Sequence, residues 1–216
     1  MLAAVLIVLG SYLMGGVPIA YLAGRLLRGI DIREVGSRNV GASNVWQGVS
    51  RVAVAPVGLA EIGLGLLGVV IAKAADQSLG VQVLAGLAAL AGHNWSPYLG
   101  FAGGRGIGHA IGFMLILSWP ALGAFIGLSL IGVAVRAVPQ FVGLGIVVAP
   151  LAALAKGQAP EIVAGTAGMA VCIFAKRLLT NRPGLPRGAD PREVLLNRLL
   201  YDRDTRERET WVRRRS

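Results

Sequence analysis

The chain has 216 residues, of which 55% are hydrophobic and 15% are charged, and its formal net charge at pH 7 is +10. A water-soluble domain of this length could not bury so much apolar surface, so the composition excludes a soluble globular protein and indicates that lipid surrounds much of the chain. We therefore predict an all-α integral membrane protein with about seven transmembrane helices. The hydrophobic runs that predict them are 2–24, 53–72, 79–92, 107–119, 121–135, 139–155 and 161–175.

The run at 2–24 predicts a helix that is retained. It lacks the basic residues that precede the apolar part of a cleaved signal peptide, and Arg25 and Arg28 follow it instead. Several later runs are shorter than the roughly 20 helical residues that cross ~30 Å of hydrocarbon. Those helices must be tilted, extended by interfacial residues or only partly spanning, and a five-helix alternative stays open.

The first polar loop, residues 36–44, interrupts the apolar sequence. Gly36 and Gly41 allow tight turns that direct backbone N–H groups toward a common point, which suits an anion such as phosphate. The same residue types are also favoured as helix caps, and spacing alone does not separate the two interpretations. The polar side chains of this loop are Ser37, Arg38, Asn39, Ser43 and Asn44.

The second polar loop, residues 92–106, ends in the sequence Gly103-Gly-Arg-Gly106 just before a helix predicted near Ile107. Free N–H groups at a helix start favour an anion, and Arg105 can form a bidentate pair with phosphate. The loop lacks the Gly-Lys-Ser/Thr ending of a nucleotide-hydrolysing loop. Anion binding is the favoured interpretation, and a flexible re-entrant turn is the alternative.

Two histidines and one cysteine complete the reactive residues. His93 is a candidate base or a structural hydrogen-bonding group, and His109 is a weaker candidate. Cys172 lies inside an apolar run and is interpreted as a packed small residue. Since no carboxylates cluster with the histidines, no metal site is predicted.

The sequence divides into a membrane domain at 1–180 and a basic cytoplasmic tail at 181–216. A helix is predicted at about 191–212, with Val194, Leu195 and Leu199 on a face suited to the bilayer surface. The tail's positive charge suits an anionic leaflet. Nucleic-acid binding is not expected, because acidic residues dilute the charge and the tail lacks a regular interleaving of aromatic and basic residues.

The basic residues predict that the N-terminus is outside and the C-terminus is inside. When seven crossings start outside, only Lys73 and Lys156 of the 21 Lys and Arg residues fall on the outer side. Both polar loops then face the cytoplasm, and the five-helix alternative would place them there as well.

Together these stretches resemble the bacterial acyl-phosphate:glycerol-3-phosphate acyltransferases, the PlsY-type integral membrane enzymes, over most of residues 11–118. The order, the spacing and the membrane context match as well as the residues themselves. The matching stretches are Ser11–Pro18, Asp31–Ser37, Asn39–Asn44, Gly92–Pro97 and Phe101–Gly106.

The resemblance implies a seven-helix fold in the bacterial inner membrane with its motif loops in the cytoplasm. It implies transfer of a fatty acyl group from acyl phosphate to the sn-1 hydroxyl of glycerol 3-phosphate, giving lysophosphatidic acid and phosphate in phospholipid synthesis. No metal, coenzyme A or other cofactor is expected. The expected partners are the two substrates and an anionic lipid bilayer.

The expected site follows from the same resemblance. Ser37, His93 and Arg105 are the expected catalytic residues. The family pattern supplies positions 37, 39, 44, 93 and 103–106, whereas Arg38, Lys176 and Arg177 are added as nearby cations. The expected substrate-binding residues are Arg38, Asn39, Asn44, Gly103, Gly104, Gly106, Lys176 and Arg177.

The chain departs from the family pattern in each motif. Arg38 stands where the family has Gly, and Gln47 where it usually has Arg. The second motif commonly reads Phe-Lys-Gly-Gly-Lys-Gly, against Phe101-Ala-Gly-Gly-Arg-Gly106 here. In the third motif only Lys176 and Arg177 remain, because Cys172–Ala175 replaces the expected His-Arg and Asn-Ile pairs, and the expected Glu is missing.

Two alternatives stay open beside an active acyltransferase. One is a relative that binds phospholipid or acyl phosphate without turning it over, which the altered third motif favours. The other is a small transporter, against which the sequence shows no inverted repeat and only one isolated intramembrane acid, Glu61.

Overall fold

A computed structural model describes residues 1–180, 185–186 and 188–206. These residues form ten α-helices and a short 3₁₀ helix at Pro97–Leu99, and no β-strand is found among them, so the all-α prediction is confirmed for this part of the chain. The α-helices are α1 (Leu2–Gly15), α2 (Ile19–Arg28), α3 (Ala42–Gly48), α4 (Val54–Ala74), α5 (Leu79–Asn94), α6 (Ile107–Leu117), α7 (Trp119–Ala134), α8 (Val138–Ala155), α9 (Pro160–Leu179) and α10 (Pro191–Tyr201).

The first hydrophobic run is two helices rather than one. Pro18 has no backbone N–H and disfavours helical backbone at Val17, so the chain breaks between α1 and α2. Among the described residues, four spans are long and apolar enough to cross a membrane: Leu2–Arg28, which combines α1 and α2, and the helices α4, α8 and α9. Helices α6 and α7 are apolar but shorter. The number of crossings stays a prediction.

Helix α5 lies at the centre of the bundle and packs against α1, α4 and α9. Small residues allow the close approach, since a Cβ atom at Gly92 of α5 would lie 2.0 Å from the Tyr12 carbonyl oxygen of α1. The main core lies between α4, α5, α6, α7, α8 and α9. Its largest buried side chains include Leu90, Phe113, Met114, Phe125, Ile146 and Met169.

The outer surface of the bundle is strongly apolar. Large side chains on four different helices are more than half exposed: Leu6 at 60%, Leu59 at 69%, Leu151 at 59% and Val171 at 68%. Water would not favour so much exposed apolar surface, whereas lipid solvates it. This surface therefore fits an integral membrane protein.

The connections between helices gather at two ends of the bundle. At one end Ser118, between α6 and α7, donates a hydrogen bond to Gln158, between α8 and α9. At the other end the two polar loops, the end of α9 and the C-terminal segment (residues 188–206) come together. Lys176 of α9 reaches the Phe101 carbonyl oxygen there, and we call this the loop end.

The predicted tail helix is present but shorter than 191–212. It ends at Tyr201, because Asp202 adopts a left-handed conformation with φ 56°, and positions 207–212 lie outside the described residues. The helix packs against α8 and α9. It buries Val194, whereas Leu195 is 41% exposed, so the predicted apolar face is only partly the packed face.

Candidate active site

Asn44 organises the first polar loop. Its side chain is fully buried, and its Oδ1 accepts a hydrogen bond from the Ser37 backbone N–H at 3.0 Å. Its Nδ2 donates to the carbonyl oxygens of Ile32 at 2.9 Å, Val35 at 3.1 Å and Asn39 at 3.1 Å. The amide therefore holds the loop together from inside. Its expected role in binding substrate stays a prediction, and the contacts found connect backbone groups of the loop to one another.

Ser37, Arg38 and Asn39 form the rim of this loop. The Ser37 hydroxyl accepts a hydrogen bond from the Asn39 backbone N–H at 3.4 Å. Arg38 adopts φ 59°, a left-handed conformation that costs a non-glycine residue about 1–2 kcal/mol. This conformation explains why glycine suits position 38. Asn39 carries a buried Oδ1 with no hydrogen-bonding partner among the described residues.

A set of charged residues flanks the loop and pairs internally. The Asp31 carboxylate lies 2.7 Å from Arg33 and 3.3 Å from Arg25, and both guanidinium groups lie over the Tyr21 ring. The hydrogen bond from the Arg33 side chain lowers the pKa of Asp31 below its usual value. Arg25 and Arg33 therefore form ion pairs with Asp31 of the protein itself.

The two polar loops meet at Gly104. Its backbone N–H donates to the His93 carbonyl oxygen at 3.0 Å. A Cβ atom at this position would lie 2.2 Å from His93 Nε2 and 2.2 Å from the Val40 carbonyl oxygen. Only glycine fits such a gap. Gly104 therefore lies between the first loop and His93, and it brings the two predicted motifs into contact.

Gly103 and Gly106 shape the same turn. A Cβ atom at Gly103 would lie 1.9 Å from the His93 carbonyl oxygen. Gly106 adopts φ 76° and precedes the first residue of α6, which confirms the predicted helix start at Ile107. A Cβ atom at Gly106 would lie 2.5 Å from Oδ1 of the buried Asn94.

The three predicted cations of the loop end have different partners. Arg105 Nε donates to Asp202 Oδ1 of the C-terminal segment at 2.5 Å. Lys176 is buried, and its ammonium lies 5.7 Å from the centre of the Trp95 ring. Arg177 donates to the carbonyl oxygen of Leu199 at 2.8 Å and to that of Pro139 at 3.3 Å, so it connects α9 to α10 and α8.

Sequence reasoning missed Asp202 as a site residue. It lies 97 positions from Arg105 and counted only as one of the acids that dilute the tail's charge. No local pattern could have paired the two, because the packing of α10 sets their proximity.

Buried polar groups lie beneath the loops. The His93 and His109 rings are 4.3 Å apart, centre to centre. Glu61 is 5% exposed and lies against Gly108, where a Cβ atom would be 3.3 Å from its Oε2. In the described part of the chain Glu61 Oε1 and Asn94 Oδ1 have no hydrogen-bonding partner. Such groups are costly unless water or a ligand meets them.

The described residues contain no group of three or more His, Cys, Asp and Glu side chains arranged to hold a metal ion. The fold and the site thus define a class: an all-helical integral membrane protein that gathers its glycine-rich loops, cations and buried histidines at one end.

Comparison with known proteins identifies the family within this class. The family model described as "Glycerol-3-phosphate acyltransferase" matches residues 5–182, and the chain belongs to this family. A glycerol-3-phosphate acyltransferase of Synechococcus sp. (strain CC9902) is 38% identical over 89% of this chain and 96% of its own length. Glycerol-3-phosphate acyltransferase 5 of Dehalococcoides mccartyi (strain ATCC BAA-2266 / KCTC 15142 / 195) is 32% identical over 100% of this chain and 95% of its own.

Two crystal structures of PlsY, an integral membrane glycerol 3-phosphate acyltransferase, share the fold. The glycerol 3-phosphate form superposes with a TM-score of 0.78 at 25% identity, over 95% of this chain and 96% of that one. The lysophosphatidic acid form gives a TM-score of 0.76 at 23% identity, over 97% and 98%. These likenesses confirm the predicted family and the membrane fold.

Proposed function

We propose that this protein transfers a fatty acyl group from acyl phosphate to the sn-1 hydroxyl of glycerol 3-phosphate, within phospholipid synthesis. The family match over residues 5–182 supports a glycerol-3-phosphate acyltransferase. The similar PlsY structure was solved in a glycerol 3-phosphate form, which supports the same acceptor here. The observation that carries the proposal is the meeting of both motif loops and His93 at Gly104.

The reaction needs positioning more than a strong nucleophile. Acyl phosphate is an activated mixed anhydride, so the acceptor hydroxyl oxygen can attack its carbonyl carbon once both substrates are held in line. The new C–O ester bond forms as the bond from the carbonyl carbon to the phosphate oxygen breaks. The phosphate leaves with that electron pair, and one of its oxygens accepts the hydroxyl proton. Lysophosphatidic acid and phosphate are the products.

Each site residue has a role in this proposal. Arg105 and the backbone of Gly103, Gly104 and Gly106 bind one phosphate group and stabilise the charge that develops on it. Ser37 and Asn39, with Arg38, position the other substrate, and Asn44 holds their loop in shape. His93 orients the reacting groups beside Gly104. Lys176 adds positive charge, and Arg177 keeps the end of α9 attached to α10 and α8.

The acyl chain lies between helices, open to lipid, while the phosphate groups lie at the loop end on the cytoplasmic side of a bacterial inner membrane. The placement of both loops and of the cations Arg105, Lys176 and Arg177 at one end of the bundle supports this orientation. The apolar outer surface supports lateral entry of the acyl donor.

The test uses purified protein in lipid with palmitoyl phosphate, with and without glycerol 3-phosphate. We expect phosphate release that depends on the acceptor, with lysophosphatidic acid formed in equal amount. Binding of palmitoyl phosphate without acceptor-dependent release would overturn the proposal and identify a non-catalytic relative. Arg105→Ala is expected to lower the rate at least about 100-fold, and an unchanged rate would remove Arg105 from the site.

A further inference from the structure

The ion pair between Arg105 and Asp202 joins the second polar loop to the C-terminal segment. The Arg105 Nε to Asp202 Oδ1 distance is 2.5 Å, and the two side chains are 11% and 29% exposed. A pair so largely shielded from water is stronger than an exposed one, because solvent screens it less. Asp202 lies beyond the matched residues of the family model, which end at 182.

A reciprocal arginine arrangement fixes the position of Asp202. Arg177 of α9 donates to the Leu199 carbonyl oxygen in the last turn of α10, at 2.8 Å. Arg198 of α10 donates to the Leu178 carbonyl oxygen in the last turn of α9, also at 2.8 Å. Each arginine thus satisfies a carbonyl group that its partner helix leaves unpaired. The chain leaves α10 directly after these contacts and turns at Asp202.

The Arg105–Asp202 pair also offsets repulsion among the cations of the loop end. Arg105 lies within interaction range of both Lys176 and Arg177, so three like charges meet at the loop end. Without a counter-charge, repulsion would move the most mobile of them away. The Asp202 carboxylate lies near Arg177 as well, and it offsets this repulsion while keeping Arg105 in place.

We propose that Asp202 is a positioning residue that orients the Arg105 guanidinium for phosphate binding. The inference rests on the proposed function, in which Arg105 binds a substrate phosphate. A guanidinium presents its donors in a rigid planar fork. Asp202 occupies Nε, which leaves the two Nη groups to form a bidentate pair with phosphate oxygens. A lysine, which the family commonly has at position 105, is a point charge and needs no such orientation.

The left-handed conformation of Asp202 allows well-matched variants. Asp202→Gly removes the carboxylate at a position whose φ of 56° suits glycine. Asp202→Asn also tolerates this conformation and keeps a neutral acceptor for Nε. Glu193→Gln, at an exposed position on α10, makes the same change of charge without touching Arg105 and serves as the matched control.

Steady-state kinetics with palmitoyl phosphate and glycerol 3-phosphate test the proposal. We expect Asp202→Gly to lower kcat/KM about tenfold and Asp202→Asn to lower it less, when both are measured at a temperature at which the variants stay folded. The melting temperature of Asp202→Gly should fall as well, because Arg105 loses its partner. The KM of one phosphate substrate should rise, and it should be the same substrate that Arg105→Lys affects. Glu193→Gln should behave as wild type. Equal behaviour of Asp202→Gly and Glu193→Gln would overturn the inference.

A double-mutant cycle isolates the orientation effect. Lysine has no Nε fork to orient, so Asp202→Gly should change kcat/KM less than twofold in the Arg105→Lys background. Fully additive effects would show that Asp202 acts independently of Arg105. A rate increase in Asp202→Gly would show that the carboxylate competes with substrate phosphate. Either result would overturn the inference.

Binding of inorganic phosphate separates this inference from the proposed function. If the wild type shows no acyl transfer, the proposed function fails. The Arg105–Asp202 pair can still be tested then, because bound inorganic phosphate should raise the melting temperature of the wild type. Arg105→Lys and Asp202→Gly should both reduce that rise. An equal rise in wild type and both variants would overturn the positioning role.

Discussion

Gly104 occupies a narrow gap in the site, where a side chain would displace either the first polar loop or His93. We expect Gly104→Ala to lower the acyl-transfer rate about 100-fold, because the added Cβ atom lies 2.2 Å from both the Val40 carbonyl oxygen and His93 Nε2. Phosphate release measures the loss. Gly63→Ala is the control, since a Cβ atom there meets nothing within 4 Å. If Gly104→Ala and Gly63→Ala released phosphate at rates within twofold of each other, the first polar loop and His93 would be able to move apart without loss of activity.

Asn44 shows how a residue can serve a site without facing the substrate. Asn44→Ala removes four hydrogen bonds of the loop, although the Val35 carbonyl oxygen keeps another donor, the Arg38 backbone N–H. We therefore expect it to lower the free energy of unfolding by about 2–3 kcal/mol as well as the rate. Thermal unfolding in detergent measures the first effect. Ser43→Ala, at an exposed position on the same helix, should unfold as wild type. A lower rate with wild-type stability would instead support direct substrate binding by Asn44.

At the scale of helices, the sequence predicts the helices that are apolar along their length. It does not predict the helices and helix ends that depend on tertiary contacts. The six later hydrophobic runs match α4 to α9 within a few residues, because a span must be apolar along its length in lipid. Helix α3 was not predicted, since Ala42–Gly48 carries no apolar run and is anchored by the buried Val45. The end of α10 was also missed, because the turn at Asp202 depends on packing against α8 and α9.

The contacts of the candidate site can likewise be separated into those that the sequence predicts and those that it does not. The approach of Gly103 and Gly104 to His93 within the second polar loop could be predicted, because a motif that is compact in sequence stays compact in space. The partner of Arg105 could not be predicted, since only the docking of α10 brings Asp202 across 97 positions. Buried groups such as Glu61 Oε1, which has no hydrogen-bonding partner among the residues that the structure describes, become visible only when the surrounding helices are known.

Docking of α10 depends on Arg198, which is 5% exposed and contacts both the Leu178 carbonyl oxygen and Asp204. We expect Arg198→Ala to release this helix from α9 and to increase amide hydrogen exchange across residues 191–201 by about tenfold or more. Activity should fall with it, because Asp202 loses its position. Arg192→Ala changes an exposed residue of the same helix and should leave exchange unchanged. Identical exchange in both variants would show that α10 is held by other contacts.

Over the whole molecule, polarity and lipid exposure are separated along the bundle. The apolar outer surface continues to the loop end, where the glycine-rich loops and cations lie. A substrate with a phosphate head and an acyl chain matches this boundary, because its two parts need the two environments that meet there. A site in the middle of the bundle would require the phosphate to enter hydrocarbon at a high energetic cost.

The orientation of the bundle can be tested with one reporter at each end. The chain has a single cysteine, so a Cys172→Ala background allows Ala75→Cys, after α4, to be compared with Ala134→Cys, at the end of α7. Both positions are exposed. Because basic residues are retained on the cytoplasmic side, we expect a membrane-impermeant maleimide to label position 75 in intact cells and position 134 only after permeabilisation. Acyl transfer by the background variant provides the folding control. Labelling of position 134 in intact cells would invert the orientation and place the loop end outside, away from a cytoplasmic supply of both substrates.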